Sequence, residues 1–413
     1  MRLRLAHRAA GVAMRRLGCG TLTVLDGDGT RHYGSGGPRA TVQVRSTRVW
    51  WMALRGSRGL ADAYAAGLWD SPDLVATIRL AASYARPMDR LRRASVPLRA
   101  PGRWLRALLR PSTRRTRRRE IAAHYDLGND LFSHMLDPTM SYSCAVFARA
   151  GMDLEEAQRA KFELVCERLE LEAHHEVVEI GSGWGGFAIH AALTRGCHVT
   201  TTTISREQHD YAVESVRRAG VEDRVRVLAA DYRDLRGRYD RLVSIEMIEA
   251  VGWRHFGSYF RSCADLLRPG GAMLLQAITV ADDLYELEKS SRSFIRSRIF
   301  PGGCLPSMRV IEREVARNTD LAIRATELLT GHYIETLRRW RERFVANEPE
   351  LAALGYDERF RRLWRLYLAY CEAGFAERRI ESVQLLLGRP GALGSTRGGR
   401  RRGGVESAAA MTV

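Results

Sequence analysis

The sequence predicts a doubly wound α/β domain preceded by a smaller α+β region. From about residue 176 onward, short apolar runs alternate with helical segments, which is typical of a parallel sheet covered by helices. The first of these runs leads directly into a glycine-rich loop, GSGWGG, at 181–186. With 413 residues, 45% of them hydrophobic, the chain can form about two domains with real cores.

The N-terminal region, residues 1–85, is expected to be the smaller α+β domain. A basic helix opens it, and two strand-like segments, TLTVLDGDGT and ATVQVRS, flank the Gly-rich turn GSGGP. The stretch that follows, LADAYAAGLWDSPDLVATIRLAAS, predicts helix.

An arginine-rich linker is expected at 86–119, where thirteen arginines accompany a single acid, Asp89. In a chain of net charge +17, such a block can attract nucleic acid or an anionic membrane, and it is equally typical of a solvated linker. The main domain then covers 120–390, and the Gly-, Arg- and Ser-rich tail at 391–413 is expected to be disordered.

Five strands are predicted in the main domain, namely EVVEIG, CHVTTTTI, RVRVLAAD, YDRLVSIE and GAMLLQAI. The helices between them are GFAIHAALTRG, SREQHDYAVESVRRAG and WRHFGSYFRSCADLL, and Ser205 with Gln208 predicts a capping box. The C-terminal segment RLWRLYLAYCEAGFAERRIESVQLLL is predicted to be helical. Its aromatic residues at helical spacing either pack in the core or face lipid: Trp364, Tyr367 and Tyr370.

The seven cysteines are dispersed and form no CxxC pair, which favours a reducing compartment and predicts neither a disulfide framework nor a metal site. We find no signal-peptide pattern and no apolar run of about 18 residues. A cytoplasmic protein is therefore expected.

The glycine loop fits two classes of cofactor. Glycines between a strand and a helix allow close backbone approach to a ligand, and GxGxxG by itself also fits dinucleotides. Glu179 gives the pattern E-x-G-x-G, which is typical of S-adenosylmethionine (SAM) enzymes. The second strand ends in threonines such as Thr203, without the acid expected to bind an NAD ribose, so SAM is favoured.

Several linked motifs resemble the cyclopropane-fatty-acyl-phospholipid synthases, over roughly residues 120–388. They are HYDLGNDLF, MSYSCAVF, IGSGWGGFAIH, TISREQ, DYRDL and IFPGGCLPS. The resemblance implies a class I SAM-dependent methyltransferase (Rossmann-like) domain, and it identifies the N-terminal region as similar to a lipid-binding accessory domain. It also implies transfer of a one-carbon unit to the cis double bond of a phospholipid acyl chain, a bound bicarbonate as base, and a homodimer.

The resemblance also assigns site residues. The bicarbonate site would be formed by Cys144 and Ile278 through backbone atoms, by Glu249 and Tyr333 through side chains, and by Gln276, where relatives have histidine. Glu246 would lie nearer the cofactor or cap the following helix, and Tyr333 could equally be a core aromatic. The cofactor site would be formed by Tyr142, Ser143, Gly181, Ser182, Gly183, Trp184, Gly185, Thr203, Gln208, Asp231 and Tyr232. For Gln208, helix capping alone is the alternative.

Two departures from the family pattern bear on the product. Ser182 replaces a cysteine at no chemical cost, whereas Gln276 cannot titrate as histidine does. A glutamine here also resembles plant-type synthases and the actinobacterial enzymes that make 10-methylene fatty acids, so a ring and an exocyclic methylene both remain open.

The expected substrate is a bilayer lipid, so we expect peripheral binding to an anionic membrane through basic segments. The segment DLYELEKSSRSFIRSRIFPGG is expected to cover the acyl tunnel. A nucleic-acid partner is not expected, because the chain lacks both the amino-methylation motif after the fourth strand and any Pro-Cys dipeptide. A small-molecule methyltransferase and a scaffold with a vestigial cofactor site are the remaining alternatives.

Overall fold

The structure is a computed structural model that describes residues 14, 20–94, 127–290 and 293–389. Within these ranges the chain forms two β-sheets, one of four strands near the N-terminus and one of seven strands in the main domain. The predicted N-terminal basic helix, most of the arginine-rich linker and the predicted disordered tail at 391–413 lie outside the described residues.

The N-terminal sheet has the strand order β2-β1-β3-β4. Its strands are β1 (Gly20–Asp26), β2 (Gly29–Ser35), β3 (Arg39–Val44) and β4 (Trp69–Asp70). The sequence predicted two strands here and missed β2, in which Tyr33 is the only buried residue, so that no apolar alternation marks it. Two helices, α1 (Arg48–Ala53) and α2 (Ser57–Ala65), lie between β3 and β4, and α3 (Leu74–Ala94) follows β4. The predicted helical stretch is thus divided by β4, and α3 continues past the predicted boundary at 85.

The large sheet has the order β10-β11-β9-β8-β5-β6-β7. Its strands are β5 (Glu176–Ile180), β6 (His198–Thr202), β7 (Val225–Leu228), β8 (Tyr239–Ile245), β9 (Leu267–Val280), β10 (Ala322–Leu328) and β11 (Ile380–Gly388). The five predicted strands, β5 to β9, are confirmed and run parallel to one another.

The prediction of helix over the C-terminal segment was wrong for its last part. Residues Ile380–Gly388 form β11, which lies antiparallel between β9 and β10. This strand is buried from Ser382 onward on both faces, so its apolar run has no two-residue period and the sequence pattern resembles a continuation of the preceding helix.

Helices cover both faces of this sheet, which confirms the doubly wound fold. They are α4 (Asn129–Met135), α5 (Leu154–Arg168), α6 (Gly186–Arg195), α7 (Arg206–Ala219), α8 (Ile248–Val251), α9 (Phe256–Leu266), α10 (Tyr285–Ser290), α11 (Met308–Asn318), α12 (Thr330–Ala346), α13 (Glu348–Ala353) and α14 (Glu358–Ala376). Short 3₁₀ turns lie at Tyr232–Asp234 and Asp282–Leu284, and a π-turn lies at Ile295–Ile299.

The order of the parallel strands reverses between β5 and β8, which are neighbours in the sheet although three strands apart in the chain order. In such sheets the loops at the carboxyl ends of the two strands diverge at this point and leave a crevice that binds ligands. The glycine loop follows β5 and the pair Glu246 and Glu249 follows β8, so the fold brings them to the same crevice.

The N-terminal region packs against the main domain through α14. The Arg362 guanidinium, 5% exposed as a residue, donates to the carbonyl oxygens of Tyr64 and Trp69 at 2.7 and 2.9 Å and to the Asp70 carboxylate at 3.0 Å. One hydrophobic cluster includes Trp50 and Tyr64 of the N-terminal region together with Trp364 and Tyr367 of α14. Trp364 and Tyr367 are therefore core residues, as one of the two sequence interpretations held; Tyr370 is partly buried against the same cluster.

Candidate active site

The glycine loop brings the backbone close to the crevice. Gly181 adopts φ +97°, a left-handed conformation that favours glycine, and a Cβ there would lie 3.3 Å from Met247 Cγ. Gly186, the first residue of α6, packs so closely that a Cβ would lie 2.8 Å from the Thr139 carbonyl oxygen. The loop is therefore fitted between β8 and the segment before α5, with its amides at a helix N-terminus that favours polar ligand groups.

A cavity at this crevice contains ten of the eleven predicted cofactor residues in its lining: Tyr142, Ser143, Gly181, Ser182, Gly183, Trp184, Thr203, Gln208, Asp231 and Tyr232. Gly185 is the exception and serves as the N-cap of α6 behind the lining. These residues come from four separate segments of the chain, and their convergence on one space supports a single elongated ligand.

Two of the polar residues in this cavity are fixed by their own hydrogen bonds. Gln208 Oε1 accepts a hydrogen bond from the Thr203 hydroxyl at 2.8 Å, while the Ser205 side chain accepts from the Gln208 backbone N–H as the N-cap of α7. Gln208 therefore contributes its side chain to the site beyond any capping role. Asp231 accepts from the Arg233 guanidinium at 2.8 Å and caps the 3₁₀ turn that presents Tyr232.

Glu179 is a buried carboxylate that lines the same cavity. It accepts a hydrogen bond from Thr201 Oγ1 at 2.5 Å, and burial raises its pKa from 4.5 to about 8. The sequence marked Glu179 as part of the cofactor pattern without assigning it to the site.

The sequence patterns did not indicate Lys161 as a residue of the site. Its ammonium is fully buried in the cavity wall and donates to the hydroxyls of Ser141 and Ser143 at 2.6 and 2.8 Å. Burial lowers its pKa from 10.5 to about 8, against the opposing charge of Glu246. The composition of the sequence could have indicated this residue. Lys161 is one of only two lysines in an arginine-rich chain, and lysine, unlike arginine, can lose its proton when buried.

Glu246 is the centre of the predicted catalytic group. Its Oε1 accepts from the Cys144 backbone N–H and from the Gln276 side-chain amide, both at 2.9 Å. Its Oε2 accepts from the Tyr333 hydroxyl at 2.5 Å. The structure thus brings Cys144, Gln276 and Tyr333 together around Glu246, which also lines the cofactor cavity.

Glu249 lies beside this group with a different partner. Its Oε1 accepts from the Ile278 backbone N–H at 2.5 Å, while its buried Oε2 has no hydrogen-bond partner among the described residues. Burial, followed by the charge of Glu246, raises the pKa of Glu249 to about 8. Two carboxylates so close to each other will not both ionise readily.

The surroundings of the two carboxylates are apolar. The Tyr333 ring stacks on Phe375 with ring centroids 4.4 Å apart, and Tyr142 packs against Trp340 at 5.1 Å. Burial raises the pKa of the Cys144 thiol well above its ordinary value, so the thiol stays protonated and the residue contributes its backbone N–H. This arrangement can accept a proton in a water-poor space.

Neither a metal cluster nor a membrane-spanning helix was found in the described parts of the chain. No group of three or more His, Cys, Asp or Glu side chains is placed there to hold a metal ion. No helix among them is long and apolar enough to cross a bilayer.

Comparison with known proteins gives consistent matches. The family model described as mycolic acid cyclopropane synthetase matches residues 112–385. Tuberculostearic acid methyltransferase UfaA1 of Mycobacterium tuberculosis is 42% identical over 347 residues, covering 81% of this chain and 79% of that protein. Cyclopropane-fatty-acyl-phospholipid synthase of Escherichia coli is 41% identical over 266 residues, covering 64% of this chain and 66% of that enzyme. The solved structure of mycolic acid cyclopropane synthase CmaA1 with SAH and CTAB matches with a TM-score of 0.62 and 30% identity, covering 66% of this chain and 98% of that one.

Proposed function

Because this chain belongs to the mycolic acid cyclopropane synthetase family of SAM-dependent methyltransferases, we propose that it transfers a one-carbon unit to the cis double bond of an unsaturated phospholipid acyl chain. The observation that carries the proposal is the position of the Glu246 group at the wall of the cofactor cavity. A methyltransferase acting on an amine or hydroxyl needs no buried cluster of acceptors among aromatic rings, whereas alkene methylation needs a base and a dry site.

The cavity suits SAM. The left-handed glycine loop, the polar pair Thr203 and Gln208, and Asp231 with Tyr232 offer contacts for the amino acid, ribose and adenine parts of one elongated molecule. SAM supplies an electrophilic methyl group when it is bound. The chain's residues then have to place the alkene beside that methyl group, exclude water and remove one proton.

Bicarbonate is the base that the resemblance predicts, and the donors expected to hold it can be tested for fit. The Cys144 N–H and the Tyr333 hydroxyl donate to Glu246, and the Ile278 N–H donates to Glu249. These donors are already engaged by protein carboxylates, so the observed arrangement does not fit a bound anion at the same place. Bicarbonate therefore stays a prediction, and we assign no step to it.

Two products are compatible with the proposal. Loss of a proton from the added methyl group closes a cyclopropane ring, and a preceding hydride shift gives a 10-methylene chain instead. The methylene product is the second candidate because the similarity to the tuberculostearic acid methyltransferase extends over 81% of this chain, against 64% for the Escherichia coli synthase.

The product assay tests the function directly. Purified protein is incubated with SAM and vesicles of dioleoyl phospholipid, and the fatty acid methyl esters are analysed by mass spectrometry. We expect a gain of one CH2, with either a ring that resists mild hydrogenation or a reducible branched methylene. Vesicles of saturated phospholipid are the control and should give no product. Methylation of the saturated lipid headgroup, or no lipid product at all, would contradict the proposal.

The same proposal includes docking to an anionic membrane surface, supported by an exposed face of α1 and α2. Trp51 and Leu54 are 50% and 64% exposed, and Leu60 is 38% exposed. Residues 48–60 contain three arginines and no acid, so apolar and cationic groups share this face.

This docking face adjoins the segment expected to cover the acyl tunnel. The Phe294 N–H donates to Ser57 Oγ at 3.3 Å, and the Arg298 guanidinium donates to the Asp62 carboxylate at 2.9 Å. A membrane bound at α1 and α2 would thus lie beside the segment that is expected to cover the acyl tunnel.

A further inference from the structure

Three hydrogen-bond donors from distant parts of the chain converge on the Glu246 carboxylate. Cys144 lies in the loop after α4, Gln276 lies in β9 and Tyr333 lies in α12. Burial of a carboxylate is costly unless it is hydrogen-bonded, and here both oxygens are satisfied. The group therefore holds the carboxylate at one defined position.

The backbone of Glu246 is in a conformation that favours glycine. Its φ is +51°, one of four positive values at non-glycine residues in the described chain. A non-glycine residue in the left-handed region costs conformational free energy, and such residues are concentrated at active sites. The chain keeps a glutamate at a position where a glycine would relieve this cost, which points to a role for the side chain.

Of the two carboxylates after β8, only Glu246 borders the cofactor cavity. The cavity wall around it includes Gly181, Ser182 and Tyr142, from the segments that form the predicted cofactor site. Glu249 instead points to the Ile278 backbone N–H in β9. Glu246 is therefore the carboxylate placed to meet the methyl group that the cofactor has just transferred.

We propose that the Glu246 carboxylate is the catalytic base of this enzyme and takes the place that the family resemblance assigns to bicarbonate. This inference rests on the proposed function. Addition of the methyl group to the alkene leaves a positive charge on the adjacent chain carbon. For a ring, the carboxylate takes a proton from the added methyl group and the released C–H electron pair forms the closing C–C bond. For a methylene chain, a hydride first moves from the methylated carbon to the cationic carbon, and the same deprotonation then forms the C=CH2 double bond. Glu246 becomes a neutral acid and returns its proton to water after the product leaves.

The environment of Glu246 suits a base that binds a proton firmly. Burial raises its pKa, while the hydrogen bond from Tyr333 and the positive charge of Lys161 act in the opposite direction and keep the ionised form accessible. Glu249, Tyr333, Cys144 and Lys161 are the titratable groups that surround it. The apolar rings of Phe375 and Trp340 beyond Tyr333 limit access of water to the cation.

The first test asks whether the wild-type enzyme needs an external anion. Turnover of dioleoyl phospholipid vesicles is measured in buffer freed of carbon dioxide and again with added bicarbonate. We expect turnover to agree within about twofold, because the base belongs to the protein. A requirement for bicarbonate would overturn the proposal, whereas absence of any methylated lipid under both conditions would refute the proposed function instead.

The second test uses two variants of the base. Glu246→Gly removes the carboxylate, and glycine adopts the left-handed backbone conformation without strain. The substitution also leaves an empty space beside the hydrogen-bond donors of Cys144, Gln276 and Tyr333. Glu246→Gln keeps the shape but cannot accept the proton. We expect turnover to fall about 100-fold or more in both variants. Added formate or bicarbonate should raise the turnover of Glu246→Gly by about tenfold and leave that of Glu246→Gln unchanged.

Calorimetric titration with S-adenosylhomocysteine controls for folding and cofactor binding. Both variants should bind it within about threefold of the wild type, since Glu246 acts on the lipid. Full turnover in Glu246→Gln would overturn the proposal. Loss of turnover in Glu246→Gly that neither anion restores would also overturn the role of base, because an anion in the vacated space should be able to accept the proton in place of the carboxylate.

Discussion

The Glu179 carboxylate illustrates how one buried residue couples stability to pH. Its folded-state pKa of about 8 lies above the ordinary value of 4.5, mainly because of burial. The folded protein therefore retains a proton that the unfolded chain releases, and stability falls as the pH rises through the window between these two values. Below that window the residue is protonated in both states and the effect is absent.

Glu179→Gln should remove this dependence. The amide is neutral at every pH. We therefore expect the melting temperature of the variant, minus that of the wild type, to increase as the pH rises from about 5 to about 8. Thermal unfolding without ligand, followed by circular dichroism across this range, measures the difference. The exposed Glu207→Gln serves as the control and should give a constant difference. A constant difference for Glu179→Gln as well would contradict the prediction.

At the same scale, sequence patterns grouped the predicted cofactor residues around one cavity but did not predict the contacts of Glu246. The glycine loop, Thr203 and Asp231 each follow a strand, and local pattern is sufficient to place such residues at one edge of a parallel sheet. The contacts of Glu246 depend on partners 102 and 87 positions away, Cys144 and Tyr333. No periodicity within a short window encodes contacts of that range; the family resemblance grouped those residues without indicating that Glu246 stands among them.

Among the secondary-structure elements of the main domain, the strands that are apolar runs between helical segments were predicted, and β10 and β11 were not. The strands β5 to β9 each contain such a run. β10 has a mostly exposed pattern, and β11 follows α14 after only three residues. For both, tertiary pairing decides the structure more than local propensity does.

The junction between α14 and the N-terminal region supplies a prediction at this scale. Arg362 is a buried cation with two backbone carbonyls and the Asp70 carboxylate as acceptors. Arg362→Ala should lower the free energy of unfolding by about 2–3 kcal/mol, because it removes three hydrogen bonds of a buried cation, while Arg45 still donates to Asp70 and the Gly67 N–H still donates to the Tyr64 carbonyl. Urea denaturation followed by fluorescence measures the loss.

Arg359→Ala is the matched control for this experiment. Arg359 lies on the exposed side of the same helix, and its removal should change the free energy of unfolding by no more than about 0.5 kcal/mol. If Arg362→Ala changed the free energy of unfolding no more than Arg359→Ala does, the contacts of Arg362 would not stabilise the junction between α14 and the N-terminal region.

For the whole molecule, the open question is how a protein without a spanning helix in its described parts reaches a bilayer lipid. The face around Trp51 and Leu54 offers apolar insertion together with positive charge. Trp51→Ser combined with Leu54→Ser should weaken binding to phosphatidylglycerol vesicles by about tenfold, or about 1.4 kcal/mol. Vesicle co-sedimentation measures binding, and wild-type binding should also weaken as salt rises from about 0.05 to about 0.5 M.

Exposed leucines elsewhere provide the control for the docking face. Leu193 and Leu354 are 60% and 49% exposed in the main domain, and Leu193→Ser with Leu354→Ser should leave vesicle binding unchanged. Turnover of a detergent-dispersed lipid should be equal in both double variants, because neither changes the active site. Equal vesicle binding by both would place the docking surface elsewhere.

The position of β11 has a consequence for how the enzyme is made. Gln384 of this strand donates to the Gln276 side chain at 2.8 Å, and Gln276 in turn donates to Glu246. Hydrogen bonding at the reaction centre thus extends to a residue that is translated 108 positions after Gln276. Nascent chains that end before β11 would hold a glycine loop but an incomplete proton acceptor, so methyl transfer should begin only once translation has passed this strand.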